Sequence, residues 1–440
     1  MTKNNLELLM PAGFYYKMQL ALDYGADAVY LGPPLFSLRA RENHFEDEEL
    51  ARAINYVHEQ NKKAYMTLNI FSRNRKLKPF TEAVVKYAAM RPDAFIISDP
   101  GLASIAKEQC PEIPIHLSVQ ANCMNWKSVE FWKKSLGIER VILSRELSIQ
   151  EISEIKQRVP DMELEAFVHG SICIAYSGRC LLSSYMNKRD ANQGVCDNSC
   201  RQSYKVHEKE YFLEDSENLP GQLYEIDEDE HGTYILNAQD LCMVDHLDQL
   251  IKAGVISFKV EGRTKSEYYA AKVARAYRGA LNDCEKGFSI QDRWRQELNQ
   301  LTNRGYHTAF MLGEPRAEGQ NYKSSMQYHE SIKLVGFAKS VKNLEASLYE
   351  VKLDAKHKVS VGQTLMVQTQ SQQDFKVKVK NIILADGQQK NEVHSGVSQV
   401  ILRLEVVDQR EQLKEIFFKE RAMLVSDVEL LNEAHEQTRS

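Results

Sequence analysis

The chain has 440 residues, 43% of them hydrophobic, and a formal net charge of -5. That apolar content suffices for real cores, and the length suits one large and one small domain. A slight acidic excess argues against a protein that coats nucleic acid by charge alone, since such binding draws on many Lys and Arg contacts to phosphate.

The start, Met1 to Gly13, has no charged segment running into an apolar core, and no long apolar run follows anywhere. Neither export nor membrane spanning is expected, and the cytoplasm is the expected compartment. Short apolar runs then alternate with polar segments of helical spacing. Candidate strands are Leu6–Met10, Ala28–Leu31, Ala64–Asn69, Ala94–Ser98, Ile115–Val119, Val141–Leu143, Leu164–Val168 and Ser257–Val260. Between them Asp47–Gln60, Phe80–Met90, Lys127–Leu136 and Ile149–Val159 suit crossover helices, and Tyr268–Lys286 suits the last. Eight such units close most simply as an α/β fold of TIM type, a (β/α)8 barrel with reactive groups on the loops after the strands. A doubly wound open sheet is the other reading.

The interval before the last strand is far longer than an ordinary loop and carries five of the eight cysteines, so it reads as a functional insertion spanning 170–250. Its acidic middle, Glu214–Glu230, reads as a solvated hairpin or lobe. After about Glu330 the pattern turns to short alternating strands: Leu334–Lys339, Ala346–Leu353, Thr364–Gln368, Phe375–Ile383 and Val400–Leu404. Hence the expected organisation is a barrel domain over 1–330 and a small C-terminal β-barrel over 331–440.

In a reducing compartment the cysteines are not expected to form disulfides, and their clustering points to a metal. The runs are His169-Gly170-Ser171-Ile172-Cys173, Ser177-Gly178-Arg179-Cys180, Cys196-Asp197-Asn198-Ser199-Cys200 and Asp240-Leu241-Cys242. Structural zinc takes paired cysteines two to four residues apart, and only Cys196 and Cys200 come near that. Wide, irregular spacing on loops is compatible with an iron–sulfur cluster. Zinc, and separate buried or redox cysteines, stay open as alternatives, while Cys110, Cys123 and Cys284 lie in helical or apolar contexts that suit packing.

The run Glu165 to Cys173, with Ser177 to Ser183, resembles the signature of the collagenase-like family of uncharacterised peptidases. Phe36 to Ala40, Leu117 to Asn122, Leu143 to Leu147 and Lys259 to Arg263 fit the same family. The resemblance covers nearly the whole chain and is strongest to the branch that hydroxylates tRNA. It implies an RNA hydroxylase that makes 5-hydroxyuridine at the wobble position without molecular oxygen, using prephenate as co-substrate and a 4Fe–4S cluster. It maps the cluster ligands onto Cys173, Cys180, Cys196 and Cys242, with Cys200 as an alternative to Cys242. Expected partners are tRNA and a redox or modification-enzyme partner, with no membrane.

If the barrel is right, Asn69, Asp99, Ser118, Gln120, Arg145, Glu146, His169, Glu261 and Arg263 stand near its mouth. Prephenate is a dicarboxylate, and guanidinium grips planar carboxylates best, so Arg39, Arg41, Arg145 and Arg263 are candidate binding residues beside Asn69, Ser118 and Gln120. His169, Glu146 and Glu261 are candidate acid–base groups, although either Glu also serves to neutralise an Arg. Phe36, Phe71 and Tyr176 are candidate stacking residues for an unpaired base. Lys339 to Lys342 and Lys376 to Lys380 are candidates for a phosphate grip.

No His-Glu-x-x-His helix and no Gly-x-Ser-x-Gly elbow occurs, so a peptidase would have to use Cys173 or Cys180 with His169. That is the second reading, and a non-catalytic cluster-bearing partner of another modification enzyme is the third.

Overall fold

The computed structural model describes residues 6–38, 45–172, 175–180, 182–187, 191, 212–214, 223–225, 227–229, 232–234, 238–313, 332–345, 347–407 and 418–427. The chain divides into two compact units, Met1–Arg295 with Thr302–Gln327, and Gln296–Leu301 with Tyr328–Ser440.

In the first unit β1 (Glu7–Pro11), β2 (Ala28–Leu31), β3 (Lys63–Leu68), β4 (Ala94–Ile97), β5 (Ile115–Leu117), β6 (Arg140–Ile142) and β7 (Glu163–Gly170) pair in parallel, each with the next. After an excursion come β8 (Phe212–Glu214) paired with β9 (Leu223–Glu225), β10 (Asp227–Asp229) paired with β11 (Gly232–Tyr234), and then β12 (Asp240–Cys242). The eighth barrel strand, β13 (Val255–Val260), pairs in parallel with both β1 and β7 and closes the ring. That closure excludes the open doubly wound sheet. Strands covered on both faces carry near-continuous apolar runs, and β1, β2, β4, β5 and β6 are buried throughout.

Each expected barrel strand occurs, with ends no more than two residues from those expected. β7 runs on to Gly170 because β12 lies antiparallel along its end, Leu241 opposite Gly170 and Cys242 opposite His169. A short strand, β14 (Tyr306–His307), pairs with β12 in turn. The acidic stretch expected as a hairpin contains the β9 and β10 segments of the two antiparallel pairs.

Charge is buried inside the barrel. Glu7 accepts from Tyr65 Oη at 2.6 Å, Ser257 Oγ at 2.8 Å and Arg140 Nη1 at 2.5 Å. Glu165 accepts from Ser257 at 3.2 Å, Arg140 at 3.4 Å and Lys259 Nζ at 2.8 Å. Ionised groups removed from water persist only when paired and hydrogen-bonded, and here three strands, β3, β6 and β13, supply the partners. The Arg140 guanidinium holds the Glu7 carboxyl below its ordinary range despite burial.

The second unit is an antiparallel sheet of the strands Ile332–Phe337, Met423–Asp427, Thr364–Gln368, Phe375–Ile383, Val400–Val406, Leu348–Leu353 and Ser340–Glu345, in that spatial order. Its core includes Val351, Val367, Val377, Leu402 and Leu404. Along Phe375–Ile383, Phe375, Val377 and Val379 face in while Lys376, Lys378 and Lys380 are exposed, the period of two expected of a strand with one solvated face. No helix among the described residues is long and apolar enough to cross a membrane.

Candidate functional site

A cavity of about 100 Å³ opens at the C-terminal ends of the barrel strands. Asn69, Ser118, Gln120, Arg145, Glu261 and Arg263 all line it. They follow four strands, Asn69 after β3, Ser118 and Gln120 after β5, Arg145 after β6, and Glu261 and Arg263 after β13, which is how a parallel barrel gathers side chains distant in sequence. Lys259 lines it as well, two residues before Glu261 on β13, and sequence reasoning passed over it.

Arg263 is committed to the wall. Its Nη1 donates to Ser37 Oγ at 2.9 Å and to Thr67 Oγ1 at 3.3 Å, and its Nη2 donates to the Leu38 carbonyl. Asn69 Oδ1 takes the Leu38 N–H at 3.1 Å, so two side chains fix one loop. Gly32 is required behind it, since a Cβ there would stand 2.2 Å from Ser37 Oγ and 2.6 Å from Arg263 Nη1. The Arg263 backbone is held by buried Lys17, whose Nζ donates to the carbonyls of Gly262 at 2.6 Å, Arg263 at 2.9 Å and Lys265 at 2.7 Å. Three acceptors match the three donors of an ammonium, and they work against the burial that pulls its pKa down to about 7.

Arg145 is engaged more lightly. Its Nη2 stands 3.4 Å from Glu261 Oε2, and its guanidinium lies over the Phe167 ring at 4.0 Å. Glu146 points to the cysteine-bearing segment, with Oε1 taking the Ser177 N–H at 3.2 Å and Oε2 the Ser144 hydroxyl. Gly178 packs where a Cβ would meet the Gln120 carbonyl at 2.4 Å. Asp99 caps the helix Pro100–Gln109 and accepts from Ser72 N at 3.0 Å; it is not among the cavity-lining residues.

His169 does not line the cavity either. It is buried among Tyr269, Tyr277 and Tyr306, with ring centroids 5.4–5.8 Å away, and its Nδ1 is 3.3 Å from Tyr277 Oη. Burial lowers its pKa to about 3, which keeps the ring neutral. Cys242, opposite it on β12, is buried with Sγ 3.8 Å from Tyr277 Oη, and burial pushes its thiol pKa up. Cys180 is half-buried. Cys173, Cys196, Cys200, Arg39 and Arg41 lie outside the described residues. Of the stacking candidates, Phe36 is buried edge-on against Phe80 at 5.2 Å, Phe71 is half-buried and Tyr176 is exposed.

A closed (β/α)8 barrel with a charged cavity at its mouth and a cysteine-bearing excursion before its last strand defines the class. Residues 13–321 match the sequence model of peptidase family U32, and the chain belongs to that family. It is similar to the tRNA hydroxylation protein P of Escherichia coli, 43% identical over 395 residues that cover 82% of this chain and 86% of that one. The Haemophilus influenzae protein of the same name is 42% identical over 406 residues, 84% of this chain and 87% of its own. A Porphyromonas gingivalis protein named collagenase is 29% identical over 333 residues, 72% of this chain and 76% of its own.

Proposed function

We propose that this chain hydroxylates tRNA in the cytoplasm, converting the wobble uridine to 5-hydroxyuridine with prephenate as co-substrate and without molecular oxygen. The observation that carries the reading is the 43% and 42% identity to two proteins named for tRNA hydroxylation, each over more than four fifths of this chain. The site is compatible with it. A base in an anticodon loop is unpaired and enters a barrel mouth without duplex melting. Arg145 is the cavity guanidinium with donors to offer a carboxylate, and Glu261 beside it is the carboxylate positioned to hold or move a proton.

A 4Fe–4S cluster on Cys173, Cys180, Cys196 and Cys242, with Cys200 as the alternative to Cys242, is part of the proposal. The donor chemistry fits, because thiolates arriving from separate loops suit a cube. Cys242 pairs beside the end of β7, the strand that leads on to Cys173, and the Cys180 segment is tied to the barrel rim through Glu146. Bound there, the cluster would supply electron-transfer or Lewis-acid chemistry. A redox or modification-enzyme partner belongs to the same proposal.

The collagenase-named relative favours a peptidase as the second reading. It fits less well, since the buried, neutral His169 stands outside the cavity. Nucleoside mass spectrometry of tRNA from cells with and without the gene separates the two. The hydroxylated nucleoside should vanish in the deletion strain, return on complementation, and form in anaerobic culture. An unchanged nucleoside profile with gelatin hydrolysis by the purified protein would establish the peptidase instead.

A further inference from the structure

We infer that Lys259 and Arg145 are the two cations that bind a carboxylate ligand in the mouth cavity, with Arg263 serving the wall rather than the ligand. The inference rests on the co-substrate reading for the identity of the carboxylate.

Donors without a partner among the described residues carry the argument. The Lys259 ammonium has three N–H donors, and one goes to Glu165 Oε1 at 2.8 Å. Its Nζ stands 4.3 Å from the centre of the Tyr30 ring, and the residue is 4% exposed while lining the cavity. Arg145 is 8% exposed and makes one hydrogen bond among the described residues, the 3.4 Å contact to Glu261. Its other four donors and its planar fork remain for a carboxylate. The Arg263 guanidinium instead spans Ser37, Thr67 and the Leu38 carbonyl.

The barrel core does not require Lys259. Glu165 already accepts from Ser257 at 3.2 Å and Arg140 at 3.4 Å, and an apolar side chain of similar volume commonly serves stability as well as a buried ion pair does. Burial lowers the Lys259 pKa from its ordinary value, and an arriving carboxylate favours the charged form again. A ligand with two carboxylates meets one cation deep on β13 and one after β6.

The test is calorimetric titration of the full-length protein with prephenate and, separately, with malonate. Lys259→Met combined with Glu165→Gln removes one charge of each sign, and Arg145→Met removes the other cation. Each variant should weaken binding about tenfold to a hundredfold with its fold retained by circular dichroism. Should the double variant fail to fold, Arg145→Met decides, because it leaves behind only the half-buried Glu261. Prephenate bound equally by wild type and folded variants overturns the pair and leaves the co-substrate reading standing. Malonate bound through both cations, with no binding of prephenate by wild type, keeps the pair and removes prephenate. Failure of wild type to bind either compound overturns both.

Discussion

Glu146, four residues beyond the end of β6 at Ile142, accepts the Ser177 N–H at 3.2 Å and so ties the segment bearing Cys180 to the barrel rim. Its other oxygen takes the Ser144 hydroxyl, which also reaches Asn122 Oδ1 at 2.9 Å and keeps a partner without it. Glu146→Ala should therefore loosen the cysteine segment more than the barrel. A lost hydrogen bond to a carboxylate, about 1.5–3 kcal/mol, raises local opening roughly tenfold to a hundredfold. Alkylation of Cys180 in iron-free protein, followed by mass spectrometry, should accelerate accordingly while the thermal midpoint moves little. Equal labelling in variant and wild type would show that the contact does not hold the segment.

Gly32→Ala should deform the cavity from behind. The new methyl would stand 2.2 Å from Ser37 Oγ and 2.6 Å from both Arg263 Nη1 and Thr67 Oγ1. Overpacking of this kind costs about 1–3 kcal/mol, read as a lower denaturant midpoint. Adding Ser37→Ala removes the nearest clash and should restore part of the loss. A double variant no more stable than Gly32→Ala would place the strain elsewhere.

The strands were legible because a buried parallel strand is written locally as an apolar run, and Ala28–Leu31 has the same limits in sequence and structure. The extension of β7 to Gly170 was not legible, because its partner Asp240–Cys242 arrives from far along the chain. Nor was the buried quartet of Glu7, Arg140, Glu165 and Lys259. Hydropathy reads each as a surface residue, and their pairing exists only once strands β1, β6, β7 and β13 meet. Position after a strand brought Arg145 and Arg263 to the mouth, but it carries no information on whether a guanidinium is already spent. His169 shows the same limit, since its wall of tyrosines comes from Tyr269, Tyr277 and Tyr306.

For the cysteines, anaerobically purified protein should contain iron and sulfide. Cys173→Ser, Cys180→Ser and Cys196→Ser should each lose both, together with tRNA modification. Cys110→Ser should keep them, because Cys110 is buried with Sγ 3.7 Å from the Val84 carbonyl and acts as packing. Cys284→Ser should also keep them. Comparing Cys242→Ser with Cys200→Ser decides the fourth ligand, as iron will be lost from one and retained by the other. Stoichiometric zinc without sulfide would replace the cluster by a zinc site.

The two mouth arginines should respond differently to the same change. In Arg263→Lys a single ammonium replaces a fork whose two ends serve Ser37 with Thr67 and the Leu38 carbonyl, so one end is left without its donor. A part-buried acceptor without a partner costs about 1–3 kcal/mol, and that should appear in the denaturant midpoint before any ligand is added. In Arg145→Lys the lost contacts are the 3.4 Å pairing with half-buried Glu261 and the stacking on Phe167. Stability should then change by less than about 1 kcal/mol, while carboxylate affinity falls about tenfold with the planar fork. Denaturation and calorimetric titration of both variants, run side by side, check the contrast. An Arg263→Lys protein as stable as wild type but deficient in binding would move Arg263 from the wall into the ligand site, because its charge would then matter to the ligand and not to the Ser37–Leu38 loop.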